Sequence, residues 1–259
     1  MSGNIIVSRE AGVATITINS EAKRNAMSQA MWIAMGDALE QLSTETDLRC
    51  IVLRGAGTTA FGSGADIDEF ETIRATKAQG IAFGKHGHRA MHAVRDCPIP
   101  TVAAIRGVCV GGGLELAAGC DVRLTSDDGR FGVPIGKLGA VLAYPELANL
   151  IRVAGPVTAL ELVLEGRVID AAEAYVKGIV SRVVTVAGFD EELKKTVNRI
   201  VAGAPLSARW HKKFTARLRR PEPLTEAELD EGYACFDTSD FVEGYQAFIT
   251  KRTPVFSGK

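Results

Sequence analysis

Pro100-Thr-Val-Ala-Ala-Ile105 followed by Arg106-Gly-Val-Cys-Val-Gly-Gly-Gly-Leu-Glu-Leu-Ala-Ala-Gly-Cys-Asp121 is the stretch on which the reading of this chain turns. The first run, rich in β-branched residues, predicts a buried strand. Gly111-Gly112-Gly113 then predicts a tight turn, and Leu114 to Ala118 the start of a helix. A strand, turn and helix in this order leave bare backbone N–H groups at a helix N-terminus. The positive end of the helix dipole there favours an anionic oxygen. Glu115, one turn into the helix, sets a carboxylate beside that position. Backbone donors next to one acid suit chemistry that creates an oxyanion and moves a proton.

A second turn of the same kind lies upstream. Cys50-Ile-Val-Leu-Arg54 reads as a strand closed by Gly55-Ala-Gly57, and Ala60-Phe-Gly-Ser-Gly-Ala-Asp-Ile-Asp68 follows it. On neighbouring strands the two turns should lie side by side. The N–H of Ala65, after Gly64, can then reach the same oxygen as the first turn. Two converging donors can hold a thioester enolate, and losing one typically costs ~2.7–4 kcal/mol of barrier. Either turn alone is an ordinary loop. The pair on successive strands, with Glu115 attached, favours a site. Neither turn fits GxGxxG or a P-loop, which argues against a nucleotide-phosphate cradle.

The remaining pattern alternates strands with helices. Ile5–Ser8 and Val13–Asn19 predict a hairpin around Glu10-Ala-Gly12, and Gln29–Leu42 a helix capped by Ser28. Residues 69–96 read as helical with a first half of mixed polarity. Val122–Thr125 is a strand, and a helix–turn–helix runs from about Pro145 to Leu164. Asp170 predicts an N-cap, Glu173 the closing acid of a capping box, and Gly178 the stop. From Asp190 onward the pattern is helical. The class is α/β, assembled from βαβ units, with no internal repeat or low-complexity linker in the sequence.

Composition narrows the possibilities. A chain of 259 residues with net charge −1 can bury a full core and carries no basic footprint for nucleic acid. No apolar run approaches the ~20 residues that span a bilayer, and the N-terminus lacks a signal-peptide pattern. The five cysteines, Cys50, Cys97, Cys109, Cys120 and Cys235, are odd in number and mostly set among apolar residues, so a reduced, cytoplasmic protein is expected. No spacing suggests a metal site. His88 and His92 share a helix face without an acid-rich partner motif. They read as a helix surface or lid, with His88 able to face a pocket.

In order and spacing, the two turns closely resemble the paired signatures of the crotonase (enoyl-CoA hydratase/isomerase) superfamily. The resemblance extends over nearly the whole chain, from Lys23-Arg-Asn-Ala-Met27 through Phe131-Gly-Val-Pro134 and Gly166–Val184 to Glu243–Arg252. It implies a crotonase-like β-β-α spiral core over residues 1–190 that carries the acyl-CoA site. It also implies a C-terminal helical trimerisation region over 191–259, with trimers often paired into hexamers. The substrate would be an acyl-CoA of fatty acid metabolism, its coenzyme A the only cofactor-like group. The N–H groups of Ala65 and Gly112 would hold the thioester oxygen. Gly64, Ala65, Asp66 and Ile67 would flank the CoA, Lys23 and Arg24 its phosphates and adenosine. Phe248 and Lys251 would reach it from the C-terminal region, commonly of a neighbouring subunit. Without the resemblance, Lys23, Arg24 and Lys251 read as solvated surface charge. Asp68 departs from the pattern, since hydratases often carry Lys there.

The larger departure follows Phe131-Gly-Val-Pro134. Hydratases of the superfamily use two glutamates, one orienting water against C3 and the other handling the proton at C2. Glu115 matches the first; the second position is Ile135, which cannot transfer a proton. Glu146 can replace it, with Tyr144 as a hydrogen-bond donor near the acyl chain. The competing reading is structural, because Pro145 and Glu146 suit a first helical turn. Hydration or dehydration at C2–C3, a lyase reaction, is therefore expected. Double-bond isomerisation, which needs one acid–base group, and decarboxylation of a malonyl-type thioester are the alternatives. A non-catalytic acyl-CoA-binding paralogue is the alternative from another class.

Overall fold

A computed structural model describes residues 3–259. β1 (Asn4–Glu10) and β2 (Val13–Asn19) form an antiparallel hairpin about Ala11-Gly12, both at positive φ, the geometry of a two-residue primed turn. α1 (Gln29–Ser43) follows, its first turn capped by Ser28 Oγ, which accepts from the Met31 N–H. Then come β3 (Cys50–Gly55), β4 (Ala60–Gly62), α2 (Phe70–Ile73) and α3 (Lys77–Asp96). The expected single helical region 69–96 is divided because Thr76 and Gln79 form a capping box that restarts the helix.

The next units are β5 (Thr101–Ile105), β6 (Val108–Val110) and α4 (Gly112–Gly119), then β7 (Val122–Ser126), β8 (Arg130–Gly132) and α5 (Tyr144–Glu165). β9 (Ile169–Asp170), α6 (Ala171–Val176) and β10 (Arg182–Val184) complete the sheets. Four helices close the chain: α7 (Phe189–Val201), α8 (Pro205–Arg217), α9 (Glu226–Glu231) and α10 (Ser239–Ile249).

Three times, a strand of one sheet is followed by a short strand of a second sheet and then by helix. The six-stranded sheet has the order β1-β2-β3-β5-β7-β10, parallel except for the first hairpin. The four-stranded sheet has the order β4-β6-β8-β9. This is the β-β-α spiral. Its repeat is one of backbone path rather than of residues, so no internal repeat is visible in the sequence. The second sheet is also invisible there, because three-residue strands carry too little periodicity to register.

The main core, including Ile16, Ile51, Leu53, Phe61, Leu114 and Phe131, joins both sheets to α1, α3, α4 and α5. A second cluster, Cys50, Val52, Val102, Ala104, Leu124 and Phe189, lies under α7 on the other face of the six-stranded sheet. The expected division at 190/191 therefore falls inside a helix that covers the spiral core. All five cysteines are free, and burial pushes the Cys120 thiol up to about 12.

Two local expectations are corrected. Asp170 does cap α6 by accepting the Glu173 N–H, but Glu173 closes no capping box. Its carboxylate pairs with Arg167 instead, which outcompetes a backbone N–H by charge. Contrary to the expectation that no run approaches bilayer length, α5 is long and apolar enough by composition. Gly155 (φ 74°, ψ 164°) breaks it before Pro156, however, leaving two segments of about half the length a span needs.

Candidate active site

β4 and β6 are parallel neighbours, and the turns that follow them dock backbone against backbone. A Cβ on Gly113 would come 2.2 Å from the Gly62 carbonyl oxygen, and one on Gly64 3.0 Å from the Gly112 nitrogen. Gly64 also has φ +96° and Gly111 φ +51°, a region that L side chains rarely occupy. The glycines are thus required both by conformation and by closeness.

Hydrogen bonding sets the direction of each turn. Met27 donates to the Gly64 carbonyl at 2.8 Å, and its own carbonyl accepts from Asp66 at 2.9 Å. In this parallel bridge the N–H of the intervening Ala65 points away from Met27. Gly111 donates to the Gly132 carbonyl at 2.9 Å, and Gly112 opens α4, so its N–H has no acceptor within the helix. Among the described residues neither Ala65 N–H nor Gly112 N–H has a backbone acceptor.

Asn25 supports the first turn, a role the sequence reading missed. It is buried at φ +56°; its amide donates to the carbonyls of Ala60 (2.7 Å) and Ala56 (3.0 Å) and its oxygen accepts from Ser20 N–H (3.0 Å). The Asn within Lys23–Met27 was the available signal, since Asn tolerates the left-handed region better than most residues.

Glu115 is 2 % exposed, and its carboxyl makes no hydrogen bond to the described residues. Burial foremost, and then the charge of Glu146, push its pKa up to about 8, with Arg74 opposing. A carboxylic acid that keeps its proton at neutral pH can donate it as well as recover it.

Glu146 sits in the first turn of α5. Oε2 accepts from the Ala143 N–H, the capping role open from sequence, while Oε1 lies 3.4 Å from His88 Nε2 on α3. The sequence-identified acid is thus joined by a second acid and a histidine from distant segments. Arg74, missed from sequence, stands over the rings of Phe70 (4.6 Å) and Phe83 (4.8 Å). No pattern marks it, because its relation to Glu115 exists only after α2 and α3 fold over α4.

The other expected residues have surroundings of their own. Ile135 is half-buried and packs on the main core, so this position is apolar. Tyr144 is 92 % exposed. Asp66 caps the following 3-10 turn, accepting from the Asp68 N–H, and Ile67 is exposed. Lys23 is tied to Asp66 (2.6 Å) and Asp68 (2.8 Å), which raise its pKa. Arg24, at φ +52°, is exposed. Phe248 on α10 is 86 % exposed, and Lys251 follows it at φ +54°. Asp121 is structural: it accepts from the Thr101 N–H and hydroxyl and from Lys212.

A spiral of this kind, with two docked glycine turns before a buried acid, defines a class that comparison with known proteins identifies. A family model described as enoyl-CoA hydratase/isomerase matches residues 8–259. The probable enoyl-CoA hydratase echA8 of Mycobacterium tuberculosis is 35% identical over 262 residues, covering 98% of this chain and 97% of that protein. The crotonyl-CoA hydratase of Syntrophomonas wolfei is 30% identical over 258 residues, covering 99% and 98%. A crystal structure of an enoyl-CoA hydratase/carnithine racemase from Magnetospirillum magneticum superposes with TM-score 0.97 at 51% identity, covering 98% of this chain and 96% of that one. The chain belongs to the enoyl-CoA hydratase/isomerase family, the crotonase superfamily.

Proposed function

We propose that this protein hydrates a 2-enoyl-CoA, or dehydrates the corresponding 3-hydroxyacyl-CoA, through a thioester enolate. The observation that carries the reading is the buried Glu115, whose pKa burial and the neighbouring Glu146 push up to about 8. Hydration needs an acid and a base together, and two neighbouring carboxyls, one protonated and one ionised, would supply both. Water loses a proton to one member and bonds to C3. The other member delivers a proton to C2, so the pair ends with its single proton on the opposite carboxyl. The Ala65 and Gly112 N–H groups hold the thioester oxygen as charge moves onto it.

The same reading gives the CoA portion to Lys23, Arg24, Gly64, Asp66 and Ile67, with Phe248 and Lys251 supplied across an assembly. Exposed apolar side chains on α10 and the second half of α5, among them Phe248, Val157 and Leu164, support a trimer or a hexamer. We assign the protein to the cytoplasm, with no nucleic-acid or membrane partner.

Incubation with crotonyl-CoA in D₂O, followed by mass spectrometry, tests the assignment. Gain of one water with deuterium at C2 is expected. An unchanged thioester would overturn it in favour of isomerisation or decarboxylation. The apolar Ile135 favours that second reading, because both reactions proceed without an acid at its position.

A further inference from the structure

We infer that His88, with His92 one turn further along α3, is a proton relay connecting Glu146 to the open cavity between α1 and α3. This rests on the reading of Glu146 as the second acid–base group. The imidazole faces two environments. Nε2 is buried, forms no hydrogen bond to the described residues, and lies 3.4 Å from Glu146 Oε1. His88 also lines a cavity of about 570 Å³, which His92 lines as well.

The chemistry explains why such a path is useful. Each hydration moves the shared proton from one carboxyl to the other, and the pair must be reset while a thioester fills the site. When Glu146 is left protonated, its Oε1 proton passes to His88 Nε2 and the imidazolium releases a proton from Nδ1 into the cavity. When Glu146 is left ionised, the path runs inward. No bond other than N–H and O–H forms or breaks. The charged group facing His88 from another element at close range is Glu146 of α5, whose charge in turn acts on Glu115 of α4. Lys85, Arg89, His92 and Asp96 stand on α3 itself, and Glu40 on α1. Arg89 is paired with Asp37 and Glu40, and imidazole is the side-chain type suited to passing a proton between two sites.

The test uses the full-length protein. His88→Ala should lower kcat for crotonyl-CoA hydration about tenfold or more in weak buffer with KM unchanged, and added imidazole should restore it. Loss without imidazole rescue, or no loss, overturns the relay. Glu146→Gln separates the two claims. If it leaves hydration intact, the reading of Glu146 fails; if it cripples hydration while His88→Ala does not, only the relay fails. A substrate-free measurement decides the matter for any acyl group. The chain has four histidines, so side-chain NMR can follow His88 individually. In Glu146→Gln the ring-nitrogen signals of His88 should move, because the carboxylate 3.4 Å from Nε2 is replaced by an amide. Unmoved His88 signals overturn the coupling.

Discussion

Glu115 is the residue on which both chemistry and stability depend. Glu115→Gln should lower turnover by about 10²–10⁴-fold while leaving the affinity for a CoA ester nearly unchanged, measured by steady-state kinetics and calorimetry. Stability should respond in a definite direction. The folded-state pKa, about 8, lies above the ordinary value of 4.5, so between these pH values the native state binds a proton that the unfolded chain releases. Stability therefore declines as pH rises from about 4.5 through 8, on the order of a few kcal/mol. Urea unfolding of Glu115→Gln should show this decline removed. Hydration should fall above about pH 8, where the pair loses its shared proton and retains two bases with no acid. Arg74 favours the ionised form of Glu115, so Arg74→Gln should move the alkaline limb upward, read from kcat/KM against pH.

At the scale of elements, the docked turns and α3 respond to the same substitution with opposite signs. Gly113→Ala drives a Cβ to 2.2 Å from the Gly62 carbonyl, backbone that cannot yield without separating β4 from α4. Thermal unfolding should register a loss of several kcal/mol, together with lost activity as the Ala65 and Gly112 N–H groups diverge. Gly87 lies on the buried face of α3, and a Cβ there meets nothing within 4 Å. Gly87→Ala should stabilise by about 0.5–1 kcal/mol, because alanine lowers the entropy cost of the helix. Both elements were partly legible. The glycine turns stood out because positive φ and close approach demand a particular residue. The division of 69–96 was less visible, since Thr76 and Gln79 are unremarkable until they cap.

For the whole molecule, the exposed aromatic surface of α10 is the feature that a single chain leaves unexplained. If Phe248 and Lys251 serve CoA across an assembly, Lys251→Ala should weaken CoA-ester binding several-fold without altering hydration at saturating substrate. Light scattering of the variant should still report the intact assembly. A monomer of unchanged affinity would show that this surface has no part in the site.

The local pattern by itself determined five of the six strands of the long sheet, the principal helices, the two glycine turns and the acid Glu115. Each of these follows from side-chain period, from caps, or from a conformation that one residue type tolerates best. Only the tertiary structure decided the second sheet, whose strands are too short to carry a period. It alone brought Arg74, His88, Glu115 and Glu146 into one neighbourhood. Those four residues lie on α2 or its cap, α3, α4 and α5, and no local spacing relates them. Their coupling arises because burial around α4 removes the water that would otherwise screen one charge from the next.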